Sequence, residues 1–217
     1  MTQKPWYVYG IGGLGIETMD ILIDMLATST DGSWHCCFLI DVPGPTSFMG
    51  REVVQWSECN CLANVTIAVG EPDARAQLAQ KCSSKGLTLS TVVSPRPFVS
   101  PFAKIENGVI VAPFSSIQAD ACLGPNVAIN TQAIVGHHVK VKRDSVISSQ
   151  ANIGGAAIVG ERAYVGMGSL IKEKVAIGAD TIVGMGSVVY RDLPECVIAV
   201  GNPARPAKRN EEKKVFK

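Results

Sequence analysis

The side chains best suited to acid–base chemistry near neutral pH are three histidines, His35, His137 and His138. His137 and His138 are adjacent in the unit Val135-Gly136-His137-His138-Val139-Lys140, which follows Asn130 and Thr131, whereas His35 precedes a strand-like run. An imidazole can take a proton from an attacking amine or hydroxyl, and it can equally be a solvated loop side chain. A second candidate is Gly10-x-Gly12-x-x-Gly15, with Asp41 further along. Glycines in such a turn let free amides at a helix N-terminus receive an anionic oxygen, and a carboxylate such as Asp41 can accept from a sugar hydroxyl. Three readings fit the turn: a nicotinamide dinucleotide, a nucleotide sugar or other small polar ligand, or a purely structural bend. The seven cysteines are odd in number and irregular in spacing, which suits reduced thiols. Cys36/Cys37 with Cys59/Cys61 is the zinc candidate, and neither pair has the spacer of a structural site, so no metal is expected.

The elements that must hold these residues begin with a repeat. In steps of six from Val93 to Val189 all seventeen residues met are Val, Ile or Leu. These types make up about a quarter of the chain, so chance would give the run with odds on the order of 10⁻¹⁰. Four positions after each aliphatic from Val93 to Val183 the residue is nearly always small, with Pro97 the exception, and Gly directly follows the aliphatic at 124, 136, 154, 160, 166, 178 and 184. An aliphatic pointing inward, a small residue at a tight corner and a glycine where the chain turns make one short strand and one bend per unit. Three units close a triangle, which is the signature of a parallel β-helix. Eighteen residues then form a coil, each residue lies over the one eighteen away, and five to six coils rise roughly 26 Å.

The first ninety or so residues read differently. Trp6 to Gly10, Cys36 to Asp41, Val65 to Gly70 and Leu87 to Val93 are strand-like, with helical periodicity at Ile16, Met19, Ile23 and Leu26 and a second helix from Pro72 to Lys85. The alternation predicts a small Rossmann-like parallel α/β sheet with ligands at the carboxyl ends of its strands. It has room for only about half of a two-halved dinucleotide domain, which argues against a nicotinamide. The domain boundaries expected are residues 1–92, 93–206 and a basic tail, 207–217.

Composition narrows the function. With Lys+Arg 20 against Asp+Glu 19 in 217 residues, there is no basic footprint for nucleic acid. The N-terminal residues lack a signal-peptide pattern and no run approaches the apolar length of a membrane span, so a cytoplasmic protein is expected.

A strand followed by Tyr9-Gly10-x-Gly12-Gly13-x-Gly15, the motif Asn130-Thr131-x-x-Ile134-x-x-His137 and the closing Gly201-Asn202-Pro203-Ala204-Arg205 together resemble the hexapeptide-repeat sugar acyltransferases. That family includes bacillosamine and perosamine N-acetyltransferases and sialic acid O-acetyltransferases, and the resemblance runs from about residue 5 to 206. It implies a left-handed β-helix, acetyl-CoA as co-substrate, a nucleotide-sugar or sugar acceptor, and a homotrimer with sites between subunits. His137 matches the general base. His138 stands where the family often has a carboxylate, and by the eighteen-residue rule Asp120 stacks on His138 and can supply that charge through it. Gly155 stacks under His137 and offers either an oxyanion-binding amide or merely a tight corner. Acceptor contacts map onto Gly12, Gly13, Leu14, Ile40, Asp41 and Gly70, with Asn130 from the histidine motif. Leu14 and Val42 replace polar residues of the bacillosamine enzymes, which points to a different or differently held acceptor. Coenzyme contacts map onto Val146, Met167 and Met185, and Arg205 and Lys208 could meet phosphates or simply be solvated. N-acetylation of a nucleotide-linked amino sugar leads, with O-acetylation of sialic acid or another sugar and a non-catalytic scaffold or ligand-binding protein as alternatives.

Overall fold

The computed structural model describes residues 4–28 and 34–216. Its first unit runs β1 (Lys4–Tyr9), α1 (Gly13–Ala27), β2 (Trp34–Ile40), β3 (Ser47–Phe48), β4 (Arg51–Gln55), β5 (Asn64–Ile67), α2 (Pro72–Ser84) and β6 (Thr88–Leu89). These strands form one sheet in the order β3-β4-β2-β1-β5-β6, parallel except where β3 meets β4. The inner halves of β1 and β2 are buried throughout, as apolar strands covered on both faces should be. The segment Leu87 to Val93 is not one strand. The Ser90 amide donates to Val65 in β5, whereas the Val92 amide donates to Val109, so the chain changes partner between them and leaves the sheet. The β3–β4 hairpin was not expected either, because Ser47 to Gln55 carries no apolar run.

From Val92–Val93 onward, two-residue rungs recur every six residues to Val188–Val189. Seventeen rungs, three to a coil, make five coils and two thirds of a sixth. They stack as three parallel sheets in an eighteen-residue register, for example Ile110 on Ala128 and Val135 on Ile153. The repeated aliphatics and the small residues four positions later fill the interior, and nearly all of them are inaccessible to solvent.

Counting the aliphatic as position 1, the corner chemistry differs from the sequence reading in one respect. The left-handed backbone is not at the glycines of position 2 but at position 4, where φ lies near +60° at Phe114, Asp120, Asn126, His138, Asp144, Asp180 and their equivalents. Asn, Asp and Gly tolerate that conformation best, yet the coil imposes it on Phe114 and Arg162 as well. Where position 2 is glycine the reason is different: a Cβ on Gly136 would lie 2.7 Å from the carbonyl oxygen of Ile153 in the next coil. Position 3 has an amide that donates to no backbone carbonyl among the described residues, which is why proline is accepted there at 95, 101, 113 and 125.

Among the described residues, a helix covers the first face of the prism. Its outward residues Val92, Ile110, Ala128 and Val146 pack with Met19, Ile21 and Leu22 of α1 in one core. The third face presents Lys104, Cys122, Lys140, Ile158 and Ala176 at the equivalent places. Arg75 of α2 is the second tie between the units. Fully buried, it donates to the carbonyls of Ile67 and Val69 at the end of β5 and to Asn126 at a prism corner, at 2.6 to 3.0 Å. Burial pulls its pKa down to about 10, still charged at neutral pH.

After the last rung, Val197–Gly201 and Ala204–Arg209 form an antiparallel hairpin on the first sheet, so the strand runs three residues past Pro206. The segment beyond it returns to the prism: Asn210 donates to the carbonyl of Asp180, and Lys213 pairs with its carboxylate at 3.4 Å. Burial by itself raises the Asp180 pKa, but the fork of Arg162, at 2.8 and 2.9 Å, outweighs it together with Lys213 and holds the group below its ordinary value. A carboxyl depressed in the folded state stabilises above its unfolded value and loses that contribution as pH falls through the folded one. Asp180→Asn should therefore lower the urea midpoint at pH 7, and the gap to wild type should close below about pH 4. A gap that is constant from pH 7 to pH 3 would contradict this origin.

Candidate active site

His137 and His138 occupy positions 3 and 4 of the corner between the second and third faces. Their Nδ1 atoms are 2.9 Å apart, with the rings at 90°. The Nε2 of His138 is 3.7 Å from Oδ2 of Asp120, one coil earlier. This contact is one of a series: position-4 residues eighteen apart also pair as Asn126 with Asp144, Gln132 with Gln150 and Arg162 with Asp180. The coil thus brings Asp120, His138 and His137 into one line, all at an open corner where the first two are more than half exposed.

The tautomers follow from that line. If Nε2 of His137 is to accept a proton, its Nδ1 must carry hydrogen and donate to His138 Nδ1. His138 must then carry its proton on Nε2, facing the Asp120 carboxylate. Each nitrogen has a defined role in only one arrangement, and the charge formed on His137 is answered by Asp120 two rings away.

Gly155 lies against the reactive end of His137. A Cβ built there would sit 2.5 Å from Cε1 and Nε2 of the imidazole, and the Gly155 amide has no acceptor among the described residues. That free amide is a property of every position 3, so it is available to an oxyanion without being built for one. Gly155→Ala should push the His137 ring aside and lower kcat about 10- to 100-fold, because general-base geometry is lost. Its φ is not left-handed, so the melting temperature should stay within a few degrees. Unchanged kcat in the alanine variant would show that the ring is not held in this pose.

Most of the residues expected to contact an acceptor gather at a different corner. A cleft of about 490 Å³ lies between the glycine turn and the corner joining the first and second faces. Gly12, Gly13, Leu14 and Gly70 line it from the first unit, and Asn130, Val146 and Met167 from the prism. A Cβ on Gly15 would run into the carbonyl of Gly10, so that glycine serves the fold. A Cβ on Gly12 or Gly13 would meet no protein atom within 4 Å, so their absent side chains leave room for a ligand. Gly12 also caps α1 with no side-chain hydrogen bond and no acid in the first turn, which leaves the helix amides open toward the cleft. The Oδ1 of Asn130 is buried and has no hydrogen-bond partner among the described residues.

Other expected residues stand apart. Ile40 is buried and its carbonyl accepts from Trp56. Asp41 is held by Lys81 at 2.7 Å, which keeps its carboxyl below the usual range, and the same ammonium lies 4.4 Å from the Trp56 ring centroid. Val146 belongs to the core under α1 and only floors the cleft. Met167 and Met185 stack, with the Gly186 amide donating to Met167, and are 51% and 80% exposed, so they form an open apolar strip leading from the cleft. Arg205 donates only to the neighbouring Ala204 carbonyl, and Lys208 lines a shallow groove on the closing hairpin. The cysteines do not converge: Cys36 faces α1, whereas Cys37 packs with Cys59 and Cys82 on the opposite side of the sheet. His35, Cys37 and Glu52 bring donor atoms within 4.8 Å, but His35 already pairs with Glu52 at 2.6 Å and burial pushes the Cys37 thiol up to about 12. Phe216, Ser148 and Tyr164 also line the cleft; none was singled out, since an aromatic in a charged run and a residue on a strand face carry no motif.

No family model and no curated protein matches the chain. Solved structures do. A histidine-to-asparagine variant of perosamine N-acetyltransferase from Caulobacter crescentus, in complex with CoA and GDP-perosamine, superposes with a TM-score of 0.86 at 28% identity, over 95% of this chain and 98% of that one. The acetyltransferase domain of PglB from Neisseria gonorrhoeae (TM-score 0.87) and WeeI from Acinetobacter baumannii (0.86) are each 27% identical over 94% of this chain and 100% of theirs. The chain is an acyltransferase with the fold of these enzymes. Its Rossmann-like sheet and left-handed β-helix are those of the sugar enzymes in this group, in the same order and over nearly the whole length. In this acyltransferase the histidine line and the acceptor cleft sit at two successive corners, separated by one face of the prism, roughly 15 Å by strand rise.

Proposed function

We propose that the protein transfers an acetyl group from acetyl-CoA to the amino group of a nucleotide-linked amino sugar, with His137 as general base. The observation that carries the proposal is the line Asp120–His138–His137, with Nε2 of His137 against Gly155. His137 takes the proton as nitrogen attacks the thioester carbonyl. The Gly155 amide faces the oxygen that becomes negative, and His137 returns the proton to the departing thiol. The glycine turn, Leu14 and Asn130 hold the acceptor, while Met167 and Met185 lie along the apolar part of the coenzyme. Arg205 and Lys208, exposed beyond that strip, meet its phosphates. The sugar N-acetyltransferase structures support this choice of acceptor, one of them having CoA and GDP-perosamine bound.

The separation of the two corners supports an assembly in which subunits share the site. The protein works as a homotrimer in which His137 of one subunit faces the acceptor cleft of the next. This arrangement also gives a partner to Phe98 and Leu170, exposed apolar residues on the uncovered second face. The cytoplasm is its compartment, in keeping with seven free thiols and with no described helix long and apolar enough to cross a membrane.

The test is thiol release from acetyl-CoA with UDP-, dTDP-, GDP- and CMP-linked sugars and free sialic acid. Turnover on an amino nucleotide sugar is expected. Turnover confined to hydroxylated sugars would replace it with O-acetylation, and silence across the panel without coenzyme binding would leave a scaffold.

A further inference from the structure

The cleft has a wall that comes from outside both folded units. Residues 211–216 follow the closing hairpin and lead back to the start of α2, where both carboxylate oxygens of Glu71 accept backbone amides, one from Val215 and one from Phe216 at 3.1 Å. Upstream the segment is fixed by buried Asn210 and by the Lys213–Asp180 pair. These polar anchors carry the strap, so its aromatic ring is not needed to hold it.

The ring is instead presented to the cleft. Ring atoms of Phe216 lie against Gly70, where a Cβ would come within 3.3 Å of them, and the ring stands T-shaped to Tyr164 with centroids 5.7 Å apart at 84°. The residue is nevertheless 57% exposed, opposite Gly12, Gly13 and Leu14 across the opening. A ligand directed toward Gly70 meets this ring first. A large apolar side chain held rigidly by its backbone and left half open is a low-entropy platform for another flat ring.

We propose that Phe216 is an acceptor-binding and specificity-determining residue, its free face stacking on a flat ring of the acceptor, either the nucleobase or the apolar face of the pyranose. This rests on the proposed function for the identity of the ligand, but not for the existence of the platform.

The experiment measures binding of GDP, UDP, dTDP and CMP, and of the corresponding sugar nucleotides, by calorimetry, alongside steady-state kinetics, for wild type, Phe216→Ala, Phe216→Tyr and Glu71→Gln. Phe216→Ala should weaken the acceptor about tenfold, as loss of one stacked ring does. Both kcat and the KM for acetyl-CoA should stay within about twofold, since nothing at the histidine corner changes. Phe216→Tyr should restore binding, and Glu71→Gln, which loosens the strap, should weaken it in the same direction. Loss seen with the free nucleotides assigns the base, and loss seen only with the sugar nucleotides assigns the pyranose. Unchanged or tighter binding in Phe216→Ala, or a wild type that binds no nucleotide, overturns the proposal. A wild type that binds nucleotide through Phe216 but releases no thiol would overturn the transferase reading and leave this one standing.

Discussion

His137→Ala should lower kcat by about 10²- to 10⁴-fold, the range over which a positioned general base acts, while the KM for acetyl-CoA changes little. The ring is an exposed corner group that fills no core, so the folded state should survive. The two groups behind it give the mechanism its sharper test. Asp120→Asn keeps the shape but removes the charge that answers the imidazolium, and should cost about tenfold in kcat. His138→Glu puts a carboxylate directly against His137 and should make Asp120 redundant. In a double-mutant cycle, the effect of Asp120→Asn should therefore vanish in the His138→Glu background. Additive losses in that cycle would mean that Asp120 acts independently of His138, and an unchanged kcat in His137→Ala would remove the base altogether.

That line of three residues was legible before any coordinates, because a six-residue period with three units per coil fixes what lies over what. Asp120 over His138 and Gly155 under His137 are arithmetic once the coil is known, and the eighteen-residue register realises both. The face covered by α1 was equally written in the sequence, in the apolar outward residues Val92, Ile110, Ala128 and Val146 against Lys104 and Lys140 on another face. Glycine marks two different needs, a left-handed φ and a close approach, which the sequence does not tell apart, and here position 2 has the second. Ile40 and Asp41 show the limit of motif transfer. The end of β2 is in the expected place, but Trp56 and Lys81, from a hairpin and a helix with no motif of their own, take the groups a ligand would use. Phe216 was invisible for a related reason: its position depends on a carboxylate 145 residues earlier.

Arg75→Met should be the most destabilising of the single changes considered. In the sequence Arg75 is one cation on a polar helix and reads as solvated, whereas in the fold it is completely buried and its guanidinium satisfies carbonyls from β5 and from the prism corner at Asn126. Asn126 in turn donates to Asp144, which is itself buried and also pairs with Arg143 at 3.2 Å, so removing the guanidinium leaves the carbonyls of Ile67, Val69 and Asn126 without their charged donor. Losing one partner of such a buried charged network costs about 3–5 kcal/mol, far more than the network adds over an apolar replacement of the whole. For a chain of this length that is a drop of roughly 10 °C or more in melting temperature. Methionine matches much of the volume, so a cavity contributes little and the loss reports the polar contacts. Arg75→Lys should recover only a fraction, because one ammonium cannot serve carbonyls on two units as a planar fork does. A melting temperature within about 2 °C of wild type for Arg75→Met would show that α1 packing alone joins the two units.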